Sequence, residues 1–223
     1  MGKALGYVLL GGGLAASVAG IAILLRSRSS SELARAALPA GRSGMRLTHH
    51  RAKNLPIKAR VRILQELTYR SVQDPEMRKL ALKITKNCPA RDDKCESKAI
   101  YDWMRAHIRY TGDIGPHRLG ADGPVEGVDL FQTAARTVEF GGGDCDDHAI
   151  LSCTLGLHNG LPCQYRVTSP TKSKKNDDYA HIYGMHGIPK TSNSPRFVAV
   201  DTTLPNGRYG LEAPYGKHLD FVA

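Results

Sequence analysis

The stretch Phe140-Gly-Gly-Gly-Asp-Cys145-Asp-Asp-His148-Ala-Ile-Leu-Ser-Cys153 decides how the chain is read. Three glycines end whatever precedes them. Asp144 is then a good N-cap, and Ala149, Ile150, Cys153 and Leu157 recur at helical spacing, so a helix is expected to start at Cys145. A cysteine in a first helical turn lies among unpaired backbone N–H groups at the positive end of the helix dipole. That position favours the thiolate, the form that attacks a carbonyl carbon. Asp144, Asp146 and Asp147 work against it by repelling a second negative charge, so a partner cation is needed and a histidine is its natural supplier.

Downstream, residues 161–168 alternate like a strand, a polar loop runs over 172–178, and a second strand is expected over 179–186. On that strand His181, Tyr183 and Met185 share one face and His186 points to the other, so one of the two histidines is expected to face the cysteine helix. A third strand, 196–201, ends in Asp201 after four apolar residues, where a carboxylate can orient a neighbouring imidazole.

Gly143-Asp-Cys145-Asp-Asp-His, a histidine opening the core of a strand in Tyr179-Ala-His181, and an acid closing the next strand in Val198-Ala-Val-Asp201-Thr-Thr resemble the transglutaminase-like group of papain-like cysteine enzymes over residues 95–205. The resemblance implies an α+β fold in which a nucleophile helix packs on an antiparallel sheet. It also implies Cys145 as nucleophile, His181 as general base and then acid, and Asp201 as orienter of His181. Two departures stand out. Animal transglutaminases have a tryptophan near the oxyanion site, whereas Trp103, the one tryptophan here, falls in a stretch expected to be a packing helix; and Ile182 follows His181 where an aromatic residue is often found. The Cys145 backbone N–H and the Gln132 side chain are the candidates for the oxyanion site. His148 and the acids beside Cys145 are zinc-ligand types, but Asp146 and Asp147 diverge around a helix, so no metal or cofactor is expected. Asp147 is expected to cap the helix and His148 to pack near the site.

Upstream, Ile57, Val61, Leu64 and Leu67 mark one helix, Met77, Leu80, Ala81 and Ile84 a second after Asp74-Pro75, and Ile100, Trp103, Met104 and His107 a third; all three read as extra packing helices. The glycine- and proline-rich run 111–127 reads as a long loop suited to substrate binding. The net charge is +10, yet residues 1–70 hold twelve basic and two acidic residues, leaving nineteen of each for the remainder. A neutral body makes nucleic acid an unlikely partner for it.

Residues 4–25 form an unbroken run of 22 uncharged residues, enough to cross a bilayer and longer than the 7–15 residues usual in a signal peptide. The expected organisation is therefore a transmembrane anchor (1–25), a basic flexible linker (26–55) with a short helical stretch at 32–38, and a catalytic-type domain (56–223). Ser17-Val18-Ala19 would serve as a cleavage site in the rival signal-peptide reading. Arg26, Arg28 and Arg35 after the segment, against Lys3 before it, place the body on the cytoplasmic face or the inner face of a membrane-containing particle, with anionic lipid head groups as partners of the linker. Gly12, Ala16 and Gly20 are spaced for helix pairing, so a homo-oligomer is a further expectation. Cys88 and Cys95 bracket a short loop and would pair in an oxidising compartment but stay reduced on an inner face. The function expected is a membrane-anchored cysteine hydrolase, a peptidase or amidase acting on a protein or peptide substrate through an acyl-thioester. The alternatives are a glutamine cross-linking transferase and a non-catalytic structural membrane protein of an assembly or virion.

Overall fold

A computed structural model describes residues 48–50, 55–111, 129–172 and 178–223. The expected anchor, most of the linker with its helical stretch at 32–38, most of the loop 111–127 and most of the loop 172–178 lie outside the described residues. Among the described residues no helix is long and apolar enough to cross a membrane.

Helices come first in the chain. Helix α1 (Ile57–Val72) buries Val61, Leu64, Leu67, Thr68 and Ser71, a stripe at the spacing the sequence predicts. Helix α2 (Pro75–Thr85) starts where Asp74 accepts a hydrogen bond from the Glu76 N–H and proline occupies the first turn, which needs no N–H donor there. Helix α3 (Asp93–His107) is capped in the same way by Asp92 on the Cys95 N–H and buries Ile100, Tyr101 and Met104.

The element that decides the architecture is the next long helix, α5 (Cys145–His158), reached through the short helix α4 (Ala134–Phe140). Every residue of α5 from Asp146 to Gly156 is buried. It is wrapped all round, since α1, α2, α3, α4 and the sheet all pack on it, so its polar residues Asp146, Asp147, His148, Ser152 and Thr154 are buried with its apolar ones. One main core, built from Leu64, Ile100, Met104, Ile150, Leu151, Leu155, Tyr165 and their neighbours, surrounds it.

The sheet has four antiparallel strands in the order β7-β6-β5-β8, with β5 (Cys163–Ser169), β6 (His181–Ile188), β7 (Arg196–Val200) and β8 (Lys217–Val222). The register pairs Gly184 with Val200 and His186 with Val198, and Gly184 and His186 face α5. A Cβ on Gly156 would stand 2.6 Å from His186 Nε2, so only glycine lets helix and strand approach this closely. The opposite face carries a small cluster of Tyr183, Met185, Ala199 and Phe197, together with Arg166, whose guanidinium holds Asp220 at 2.7 Å and Glu212 at 2.9 Å. Two further pairings are short: β1 (Thr48–His50) with β3 (Asp129–Phe131), and β2 (Arg109–Tyr110), parallel to β4 (Gly142–Gly143).

Disulfides join Cys88 to Cys95 and Cys153 to Cys163, the second tying α5 to β5. With separations of 7 and 10 residues, loop-closure entropy gives each about 2.5 kcal/mol. Both suit an oxidising compartment, in contrast to the reducing inner face that the charge pattern alone predicts.

Candidate active site

The glycine run has a structural reason beside Cys145. Strand β4 lies beside β2, with the Arg109 N–H on Gly141 O and the Thr111 N–H on Gly143 O, both at 2.9 Å. A Cβ on Gly143 would fall 2.5 Å from the Asp147 Cβ, so the chain can turn into α5 here only without a side chain. Asp144 then caps the helix through the N–H groups of Asp146 and Asp147, and the Asp147 carboxylate reaches back to the Asp144 N–H, completing a capping box. Asp147 thus caps the helix as expected.

Cys145, the first residue of α5, is half-buried and is the free cysteine among the described residues. Burial pushes its thiol well up, Asp146 and Asp144 push it further, and N–H groups of Ile182 and Asp146 oppose them without winning. The helix terminus therefore does not by itself produce a thiolate. Desolvation and the two acids outweigh it, and the resting sulfur carries its proton.

His181 opens β6. Its Nε2 lies 2.8 Å from Asp201 Oδ2, which leaves Nδ1 as the nitrogen able to serve the thiol. The His181 side chain is 23% exposed and that of Asp201 fully buried. Asp201 Oδ1 accepts from the Thr203 N–H at 3.0 Å and hydroxyl at 2.7 Å. Burial pushes the Asp201 carboxyl up, but the bonds from His181 and Thr203 outweigh it and hold the group below its ordinary value, as the anion.

One pocket of about 210 Å³ brings Cys145 and His181 together, with Asp146, Tyr179 and Ile182 beside them and Arg60, Val61 and Leu64 of α1 opposite. Of the two β6 histidines, His186 faces α5, and His181 shares the other face with Tyr183. His186 lies against the middle of the helix, where Ser152 bonds its Nε2, while His181, the first strand residue, reaches the pocket at the helix start. Alternation sorts side chains along a strand that a helix merely crosses; it does not cover a strand end that passes the helix terminus.

Gln132 is not at this pocket. It is fully buried, and its backbone N–H and side-chain amide both donate to the Asp147 carboxylate. The expected oxyanion donor is spent on holding the capping box, a use that sequence spacing cannot reveal. His148 packs nearby, bonded through Nδ1 to Thr202 Oγ1 at 2.6 Å, and burial lowers it to about 4, so it is neutral near pH 7. Among the described residues no group of three or more His, Cys, Asp or Glu is placed to hold a metal.

A family model described as the transglutaminase-like superfamily matches residues 78–202, more than half of the chain. The chain belongs to that superfamily. The match takes in Cys145, His181 and Asp201 and excludes α1. Among solved structures, the chain is similar to a candidate cysteine protease from Cytophaga hutchinsonii, with 18% identity, a TM-score of 0.42, and coverage of 71% of this chain and 49% of that one. It is also similar to a candidate protease from Parabacteroides distasonis, with 14% identity, a TM-score of 0.43, and coverage of 65% and 29%. The chain therefore spans about half of the first protein and under a third of the second. No curated protein matches it.

Residues of α1 are what the sequence reading missed at the site. Val61 and Leu64 sit in the core stripe and so read as packing residues, and Arg60 reads as one more charge in a basic N-terminal third. Tyr110 is a further neighbour. It is 58% exposed, its ring lies 6.2 Å from that of His148, and the register pairs it with Gly143, two residues before Cys145.

Proposed function

We propose that this protein is a cysteine hydrolase that cleaves an amide bond, in a peptide or a carboxamide side chain, through an acyl-thioester on Cys145. The observation that carries the proposal is the shared pocket of Cys145 and His181, with His181 held by a buried, ionised Asp201. Because the resting thiol is protonated, attack and proton transfer are coupled. His181 Nδ1 takes the thiol proton as sulfur adds to the carbonyl carbon, and Asp201 stabilises the imidazolium that forms. The Cys145 backbone N–H, a first-turn donor with no helical acceptor, is the group suited to the developing oxyanion. Imidazolium then protonates the leaving amine. His181, neutral again, removes a proton from water as the water attacks the thioester, and the acid and the free thiol are released.

The domain is taken to start at residue 56, with residues 1–25 as its membrane anchor and 26–55 as a basic linker that meets anionic head groups. Since all four remaining cysteines are paired, we place the body in an oxidising compartment instead of on an inner face. Incubating the purified chain with peptide amides and with a labelled amine tests the reaction. Cys145-dependent release of free acid supports hydrolysis, incorporation of the amine indicates transfer, and neither product, with Cys145→Ala indistinguishable from wild type, leaves a non-catalytic structural protein.

A further inference from the structure

The pocket wall facing Cys145 comes from a helix that the superfamily match does not include. Ile57, Arg60, Val61 and Leu64 of α1 line it, and three of the four are apolar. Arg60 is the exception. Its guanidinium lies 3.9 Å from an Asp146 carboxylate oxygen, and its side chain is 29% exposed while that of Asp146 is 9% exposed. Asp146 follows the nucleophile directly and lines the same pocket. An uncompensated carboxylate there would oppose every step that builds negative charge on sulfur or on the oxyanion.

We propose that Arg60 is an electrostatic positioning residue of this site, offsetting the charge of Asp146 so that the Cys145 sulfur can become negative during attack. The inference rests on reading Cys145 as the nucleophile. The groups around the sulfur are Asp144 at the N-cap of α5, Asp146 on α5, His181 on β6 backed by Asp201, Tyr179 before β6, Tyr110 on β2, His148 one turn along α5, and Arg60 on α1. Among the described residues, Arg60 is the permanently cationic side chain that lines the pocket with Cys145. It acts across partly solvated space, so its effect is graded and is weakened by salt.

The test needs no substrate, because Cys145 is the free thiol among the described residues and a neutral alkylating agent reads its ionisation directly. The rate of iodoacetamide modification of the full chain is measured from pH 5 to 10 for wild type, Arg60→Gln, Arg60→Lys, Asp146→Asn and the Arg60→Gln/Asp146→Asn double variant, with thermal melting to confirm each fold. Arg60→Gln is expected to move the pH midpoint up by about half to one pH, slowing the reaction at pH 7 by roughly three- to tenfold. Asp146→Asn moves it down, Arg60→Lys restores most of the loss, and the double variant returns to within about twofold of wild type. The inference is overturned if folded Arg60→Gln is modified at pH 7 at the wild-type rate, or if Arg60→Lys behaves like Arg60→Gln, which would mark a packing role. Failure of the nucleophile reading looks different. Cys145→Ala would then leave the release of free acid from peptide amides unchanged, whereas the Arg60 dependence of the alkylation rate at pH 7 can be read in either case.

Discussion

Asp201→Asn is the substitution whose consequences the structure specifies most closely. Asp201 is an acceptor on both oxygens: Oδ2 from His181 Nε2 at 2.8 Å, and Oδ1 from the Thr203 N–H and hydroxyl at 3.0 and 2.7 Å. An asparagine cannot reproduce this. With its carbonyl toward His181, its amide N–H groups face the Thr203 N–H, donor against donor in a buried site. Flipped, it satisfies Thr203 but points a donor at His181 Nε2, which forces the tautomer with the proton on Nδ1, the nitrogen meant to receive the thiol proton. The first orientation loses a charge-assisted bond worth about 1.5–3 kcal/mol, or roughly 10- to 150-fold in kcat/KM. The second disables the base, and a drop nearer 10⁴-fold follows. Steady-state kinetics at pH 7 on a peptide substrate, with circular dichroism and melting to confirm the fold, read the outcome. An Asp201→Asn protein that folds and keeps kcat/KM within twofold of wild type would refute the assignment of Asp201 as orienter and of His181 as base.

Three other outcomes follow from the packing. His148 and His186 are both lowered from 6.5 to about 4 by burial, so the unfolded chain binds more protons between those values; stability is fully present above pH 6.5 and is lost as pH falls toward 4, by up to about 3 kcal/mol per histidine, which urea denaturation across pH 4–7 would detect. Gly156→Ala would push a methyl to 2.6 Å from His186 Nε2 and cost about 1–3 kcal/mol, which thermal melting would detect as a lowered Tm. Thiol titration of the unfolded, unreduced chain should count one reactive cysteine, and prior reduction should raise this to five and lower Tm; five thiols without reduction would remove the argument for an oxidising compartment.

Much of this arrangement was written locally in the chain. The stripes of α1, α2 and α3, the Asp144 cap and the strands over 161–168, 179–186 and 196–201 depend on spacing within ten or so residues, which a sequence displays, and the order Cys145, His181, Asp201 follows from the order of those elements. What was not legible depends on distant approach. Strand β8 at Lys217–Val222 is a plain edge strand whose place beside β5 is set by a register that begins with Gln164 and Val222. Cys153 pairs with Cys163 because α5 folds back onto β5, whereas Cys88 and Cys95 bracket one visible loop. Gln132 and Arg60 exchanged significance for the same reason: only the folded chain shows that one amide is committed to Asp147 and that one surface-type cation faces Asp146.

The confinement of α5 divides the site into two parts that can change at different cost. Cys145 begins a helix with neighbours on every flank, so a substitution along Asp146–Gly156 that shifts the helix also shifts the nucleophile, and losses of stability and of turnover should travel together there. Ile57 and Arg60 lie in the first turn of α1, only partly buried, and touch the pocket from outside that helix. On the acyl-thioester reading, the choice of acyl group is therefore cheapest to retune at Ile57, where a library leaves both α5 and the Arg60–Asp146 pair in place.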